Sequence, residues 1–252
     1  MGEALVGGLL RAGGRRLDAV RIVEPDAARR SALGEIFPGI EVAVAPGPAE
    51  GTVIAVKPDD VPGACRAVAV AGPGRVLSIA AGVTVATLEA ELPTGTPVVR
   101  AMPNTPAVVG LGASAIAAGT AATDDDLDWA EALLGAVGTV VRVTEPLLDA
   151  VTGLSGSGPA YVFLVAEALI EAGVLSGLPR ETSRALSIQT LLGAATLLAD
   201  GHEGPEALRA AVTSPGGTTA TGLRVLEQHG VRAAFLEAVA AATSRSRELG
   251  RS

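Results

Sequence analysis

The sequence predicts an α/β half built on a mostly parallel sheet, followed by an all-helical half. Short apolar and β-branched runs alternate with helical segments over the first part of the chain. That alternation is what a parallel sheet covered on both faces requires. From about Leu147 the strand signals stop, and long apolar periodicities at helical spacing take over. No low-complexity linker intervenes, and the two domains are expected over residues 1–146 and 147–252.

Element by element, 4–13 reads as the body of a helix and 20–24 as a strand. A helix over 27–33 precedes strands over 40–45 and 52–57. A helical stretch from about Val61 leads to strands over 76–80 and 98–102. Further strands over 114–118 and 140–144 flank a helix opening at Asp124-Asp125-Asp126. Three acids suit the positive end of a helix dipole, and we read them as solvated dipole partners rather than ligands. In the second half, helices are expected over 159–172, 179–200, 205–212 and 231–249. Proline stands at or near three of these starts, where the first helical turn accepts it.

Composition narrows the function. With 48% hydrophobic and 18% charged residues the chain is globular rather than disordered. Aromatic residues make up only 2%, so its cores are built from Ala, Val, Leu and Ile. A net charge of −8 counts against a nucleic-acid surface. A small anion could still be held by a helix dipole or a backbone nest. Cys65 is the single cysteine, which excludes an internal disulfide and points to a reducing cytoplasm. No uninterrupted apolar stretch reaches the ~20 residues of a membrane helix, and no signal-peptide pattern opens the chain. Lys57 is the only lysine, and His202 and His229 lie far apart, so no metal site is expected. Residues 161–170 and 185–198 are apolar on most sides, which favours burial between subunits over an ordinary bundle core.

Several motifs bear on chemistry. Met1-Gly2-Glu3-Ala4-Leu5 has the form of the tail of a glycine-rich dinucleotide fingerprint, with Gly2 as its last glycine. Glu24 ends the next strand, where an acid can bind an adenosine ribose. Val56-Lys57-Pro58 and Ala80-Ala81-Gly82 lie at strand ends, the edge at which open parallel sheets bind ligands. Arg100-Ala101-Met102-Pro103-Asn104-Thr105-Pro106 sets two prolines around a polar turn at another strand end. Leu154-Ser155-Gly156-Ser157-Gly158-Pro159-Ala160-Tyr161 opens a long apolar helix with small residues. Val212-Thr213-Ser214-Pro215-Gly216-Gly217-Thr218-Thr219 precedes a further helical segment. Its free backbone N–H groups, with the hydroxyls of Ser214, Thr218 and Thr219, suit a carboxylate or phosphate. The plain alternative is a helix start capped by Thr218 or Thr219.

These last three blocks, in this order and spacing, resemble the signatures of the pyrroline-5-carboxylate reductases. The resemblance implies a Rossmann-like sheet, here lacking its first strand because the chain begins at the last two fingerprint positions. It also implies a helical dimerisation domain and reduction of the imine of 1-pyrroline-5-carboxylate to L-proline, the last step of proline biosynthesis. The implied cofactor is NADP, with NAD admitted because Glu24 would repel a 2′-phosphate unless Arg29 or Arg30 offsets it. Gly2, Glu24, Val56, Lys57, Pro58, Ala80 and Asn104 are implied at the nucleotide. Ser214, Gly217, Thr218 and Thr219 are implied at the substrate, with Thr219 at the ring nitrogen. A homodimer, or a ring of dimers, is the implied assembly. Two rivals remain: a 3-hydroxyacid dehydrogenase-like enzyme, which uses a lysine in its helical half, and a relic that keeps only the helical dimer. No lysine stands in the helical half here.

Overall fold

The computed structural model describes residues 1–13 and 19–250, so the last two residues of the expected helical half lie outside the described ones. The chain divides into two compact units, Met1–Ser157 with Ala240–Ser252, and Gly158–Val239.

The first unit runs α1 (Gly2–Arg11), β1 (Arg21–Val23), α2 (Ala27–Ile36), β2 (Glu41–Ala43), β3 (Gly51–Ile54) and α3 (Val61–Ala71). It continues through β4 (Arg75–Ser78), α4 (Val85–Ala90), β5 (Val98–Met102), β6 (Gly112–Ala118), α5 (Asp124–Gly135), β7 (Gly138–Arg142) and α6 (Leu148–Val151). Local chemistry sets the helix starts. The Asp26 carboxylate accepts the Arg29 N–H at 2.7 Å to open α2. Thr123 and Asp126 cap α5 reciprocally, the Thr123 N–H donating to Asp126 at 2.9 Å. Of the three acids read as solvated, Asp124 and Asp125 are exposed, whereas Asp126 is buried in that capping box.

β1 pairs with β2 in a two-stranded parallel sheet, and β3-β4-β5-β6-β7 form a second sheet in that order. Within the second sheet only the β5–β6 pair is antiparallel. Successive residues of one strand point to opposite faces. Val76 and Val98 pack with Val61, Cys65, Val68 and Leu88, while Leu77 and Val99 pack with Leu5, Ala130, Leu133 and Leu134. Helices thus cover both faces with aliphatic side chains, as the aromatic-poor composition requires. β1 and β3 share no ladder, so each keeps an unpaired edge among the described residues. A doubly wound sheet places its opening strand between those two edges. Among the described residues no strand joins those two edges.

The second unit holds α7 (Gly158–Leu175), α8 (Arg180–Ala199), α9 (Pro205–Ala211), α10 (Thr218–Gln228) and the start of α11 (Val231–Leu249). α7 and α8 pack on each other. The Ser183 hydroxyl donates to the Ile170 carbonyl at 2.7 Å, and Arg180 forms a two-pronged pair with Glu171. Between 158 and 239 Ser183 is the one buried residue. By length and composition alone, the helical stretch Glu145–Leu175 is apolar enough to cross a membrane, with mean hydropathy 1.5.

Candidate functional site

In the first unit the parallel register aligns strand ends. Ile54 lies level with Ser78, and Ser78 with Arg100. The residues just beyond, Val56-Lys57-Pro58, Ala80 and Asn104, therefore emerge along one carboxyl edge. Beyond the end of β3, Pro58 opens a 3-10 turn, Pro58–Asp60, with Lys57 as its N-cap. Val56, Lys57 and Pro58 are exposed, and Lys57 meets no carboxylate among the described residues. Ala80 is buried, and its N–H points to the buried Ser78 hydroxyl at 3.4 Å. At the start of α1, a Cβ on Gly2 would stand 3.1 Å from the Ala55 Cβ, a tight contact that would have to give slightly, so the bare backbone lets that helix lie close to the end of β3. No side chain caps α1. Glu24 closes β1, its N–H donating to the Ala43 carbonyl at 3.0 Å.

Asn104 is buried, and both ends of its side chain are engaged by backbone. Its amide nitrogen donates to the Ser155 carbonyl at 3.0 Å, and its Oδ1 accepts the Ala113 N–H at 2.8 Å. What it presents toward a ligand is its backbone. Arg100, to which the sequence assigned no role, is also buried and donates to Glu145 Oε1 at 2.9 Å. The same oxygen accepts the Val85 N–H at 2.6 Å. An arginine within the otherwise apolar Val98-Val99-Arg100-Ala101-Met102 was the available signal. Together Asn104 and Arg100 tie the end of β5 to the segment 145–155.

That segment contains a π-helix, Thr152–Gly156, where the sequence suggested only a small-residue entry to a helix. The wide turn is closed by the Ser157 N–H donating to the Thr152 carbonyl at 2.8 Å. Such single wide turns concentrate at functional sites. Here Gly156 is needed for packing, since a Cβ would come 2.6 Å from the Met102 Cε.

In the second unit, Ser214, Gly217, Thr218 and Thr219 come together around the start of α10. Gly216 has φ +68°, a backbone state that favours glycine. The Gly217 N–H donates to the Ser214 carbonyl at 3.1 Å, and a Cβ on Gly217 would meet the Ser214 Oγ at 2.6 Å. Gly217, not a threonine, is the N-cap, and no side chain caps α10. Ser214, Thr218 and Thr219 are exposed in the single chain, and their hydroxyls have no partner among the described residues. An eleven-residue helix without a side-chain cap, with three hydroxyls at its start that are unpartnered among the described residues, has the chemistry that suits an anion. Among the described residues no three His, Cys, Asp or Glu side chains gather as metal ligands.

Comparison with known proteins accords with this architecture. Residues 145–249 match the family model described as pyrroline-5-carboxylate reductase dimerisation. A pyrroline-5-carboxylate reductase of Synechocystis is 44% identical, over 100% of this chain and 95% of its own length. One from Methanosarcina acetivorans is 42% identical over the same shares. The solved pyrroline-5-carboxylate reductase of Coxiella burnetii superposes with a TM-score of 0.93 at 35% identity, covering 98% of this chain and 94% of that one. The Plasmodium falciparum pyrroline carboxylate reductase, solved with NADP bound, gives 0.85 at 28% identity, covering 99% of this chain and 94% of that one.

Proposed function

Because the chain belongs to the pyrroline-5-carboxylate reductase family, we infer that it reduces 1-pyrroline-5-carboxylate to L-proline with a nicotinamide nucleotide. The observation that carries this reading is the uncapped α10 start in the Ser214-Pro215-Gly216-Gly217-Thr218-Thr219 loop, set in a chain related to these reductases end to end. The relative solved with NADP bound supports a nicotinamide cofactor, NADP or NAD.

The first unit fits such a nucleotide on its own terms. The uncapped start of α1 suits a pyrophosphate, Lys57 offers a cation that meets no carboxylate among the described residues, and Val56, Pro58, Ala80 and the Asn104 backbone wall the carboxyl edge. Glu24 and Gly2 complete this set. When bound, the dihydronicotinamide supplies the hydride. The chain supplies binding and orientation. The first N–H groups of α10 and the hydroxyls of Ser214 and Thr218 hold the substrate carboxylate. The Thr219 hydroxyl hydrogen-bonds the ring nitrogen. A protonated imine is already electrophilic at carbon, so no strong base is required, in keeping with a loop that carries no His, Cys or Lys.

The helical part over 147–252 serves as the substrate and dimerisation domain, and 1–146 as the nucleotide domain. The working assembly is a homodimer, or a ring of dimers, in the cytoplasm. The test is to mix the purified protein with 1-pyrroline-5-carboxylate and NADH or NADPH, following nucleotide absorbance and L-proline together. Proline formed in step with nucleotide oxidation is expected; nucleotide loss without proline, or neither, overturns the reading.

A further inference from the structure

We propose that Glu24 makes the nucleotide site select NADH over NADPH, a refinement that rests on the nicotinamide reading above. Glu24 stands at the carboxyl end of β1, where a doubly wound sheet takes the adenosine ribose. Its carboxylate does not wave freely there. Oε1 accepts the Asp26 N–H at 3.0 Å, which pins the group to the turn leading into α2. The second carboxylate oxygen has no partner among the described residues and is left to accept ribose hydroxyls.

A 2′-phosphate in the same place would need cations to offset this charge. The turn has two candidates, and both are engaged. Arg29 is ion-paired with Glu3 on α1. Arg30 directs Nη1 at the Glu24 carbonyl, at 3.0 Å, and at the Pro25 carbonyl, which uses both hydrogens of that nitrogen and lays the guanidinium along the turn's own backbone. Glu3, Glu24 and Asp26 against Arg29 and Arg30 leave one excess negative charge before a dianionic phosphate arrives. Two ribose hydroxyls meet an acceptor, while a phosphate meets repulsion.

The experiment measures the affinities of NADH and NADPH by their fluorescence, and of ADP-ribose and 2′-phospho-ADP-ribose by competition. Native protein and Glu24→Gln are compared, since glutamine keeps an acceptor for Asp26 and removes the charge. NADH is expected to bind at least about tenfold tighter than NADPH, the scale of one to two unit repulsions at a partly solvated site. The ADP-ribose pair should show the same preference, because discrimination lies at the adenosine end. In Glu24→Gln the two affinities should fall within about threefold, the repulsion being gone. Native protein that binds NADPH as well as NADH, or a preference unchanged in Glu24→Gln, overturns the assignment while leaving the nicotinamide reading intact. If none of the four ligands binds, the nicotinamide reading falls and the role of Glu24 with it.

Discussion

Gly217 caps α10 with backbone alone, and this leaves the helix's first N–H groups and the Thr218 and Thr219 hydroxyls available to a ligand. If Thr219 bonds the reacting nitrogen, its contribution grows as charge shifts in the transition state. Thr219→Ala is therefore expected to lower kcat/KM by about a hundredfold, the usual loss of one such donor, with kcat falling too. Ser31→Ala, on the exposed face of α2, should change neither parameter. Equal kinetics for the two variants would remove Thr219 from the mechanism. Asn104 carries a different burden. Truncation to alanine strands the Ser155 carbonyl and the Ala113 N–H in a half-buried setting. Unfolding by denaturant should show a loss of about 2–4 kcal/mol, one to two unsatisfied groups' worth. Cys65 is fully buried, and burial, with Glu91 adding to it, pushes its thiol above the ordinary range. Native protein should resist thiol reagents at neutral pH and label only on unfolding. The sign of the linkage follows: the unfolded thiol ionises first, near ~8.5, so this group's stabilisation is complete below that pH and lost as pH rises through the higher folded value.

At the scale of elements, what was legible is what depends on periodicity, and what was not depends on neighbours. The apolar strand cores at 76–78 and 98–102 and the helix at 124–135 stand where the sequence put them. β3 and β4 end short of the expected 57 and 80, because the last bond between them is the Ile79 N–H to the Ile54 carbonyl and the extended residues beyond it pass to the ligand edge. The antiparallel turn of β6 cannot be seen in its apolar run, since direction is set by pairing rather than propensity. α4 is a single short helix capped by Thr84 and gives too little period to detect. The π-helix at 152–156 is equally invisible, as one of its carbonyls, that of Ser155, is taken up by Asn104 some fifty residues upstream in the chain. The strand set also makes a prediction about dynamics. Among the described residues β4 and β5 have ladders on both sides, whereas β1 and β3 each lack one. Amides of β1 and β3 should exchange with solvent well before those of β4 and β5. Uniform protection across all four strands in native-state hydrogen exchange would show that the open edges are covered.

For the whole molecule, the decisive feature is a helical unit that buries almost nothing by itself. Only Ser183 is buried between 158 and 239, while Phe163, Leu164, Leu175 and Leu192 are 62, 65, 88 and 53% exposed. An aliphatic surface of this extent is unstable in water. The apolarity that would let Glu145–Leu175 cross a bilayer is equally what a large subunit interface needs, and the match of 145–249 to a dimerisation family favours the second. The protein should therefore have at least twice the chain mass by light scattering at micromolar concentration. Its melting temperature should rise with protein concentration, because association stabilises the folded state by mass action. Leu164→Glu places a carboxylate on the exposed apolar side of α7, where pairing would desolvate it. That variant should dissociate toward monomer or melt earlier than the parent, whereas a change at Glu203, in a polar connection between α8 and α9, should do neither. A parent protein of single-chain mass, or a Leu164→Glu variant indistinguishable from it in mass and melting, would mean that the exposed face of α7 is covered by something other than a second copy of this chain.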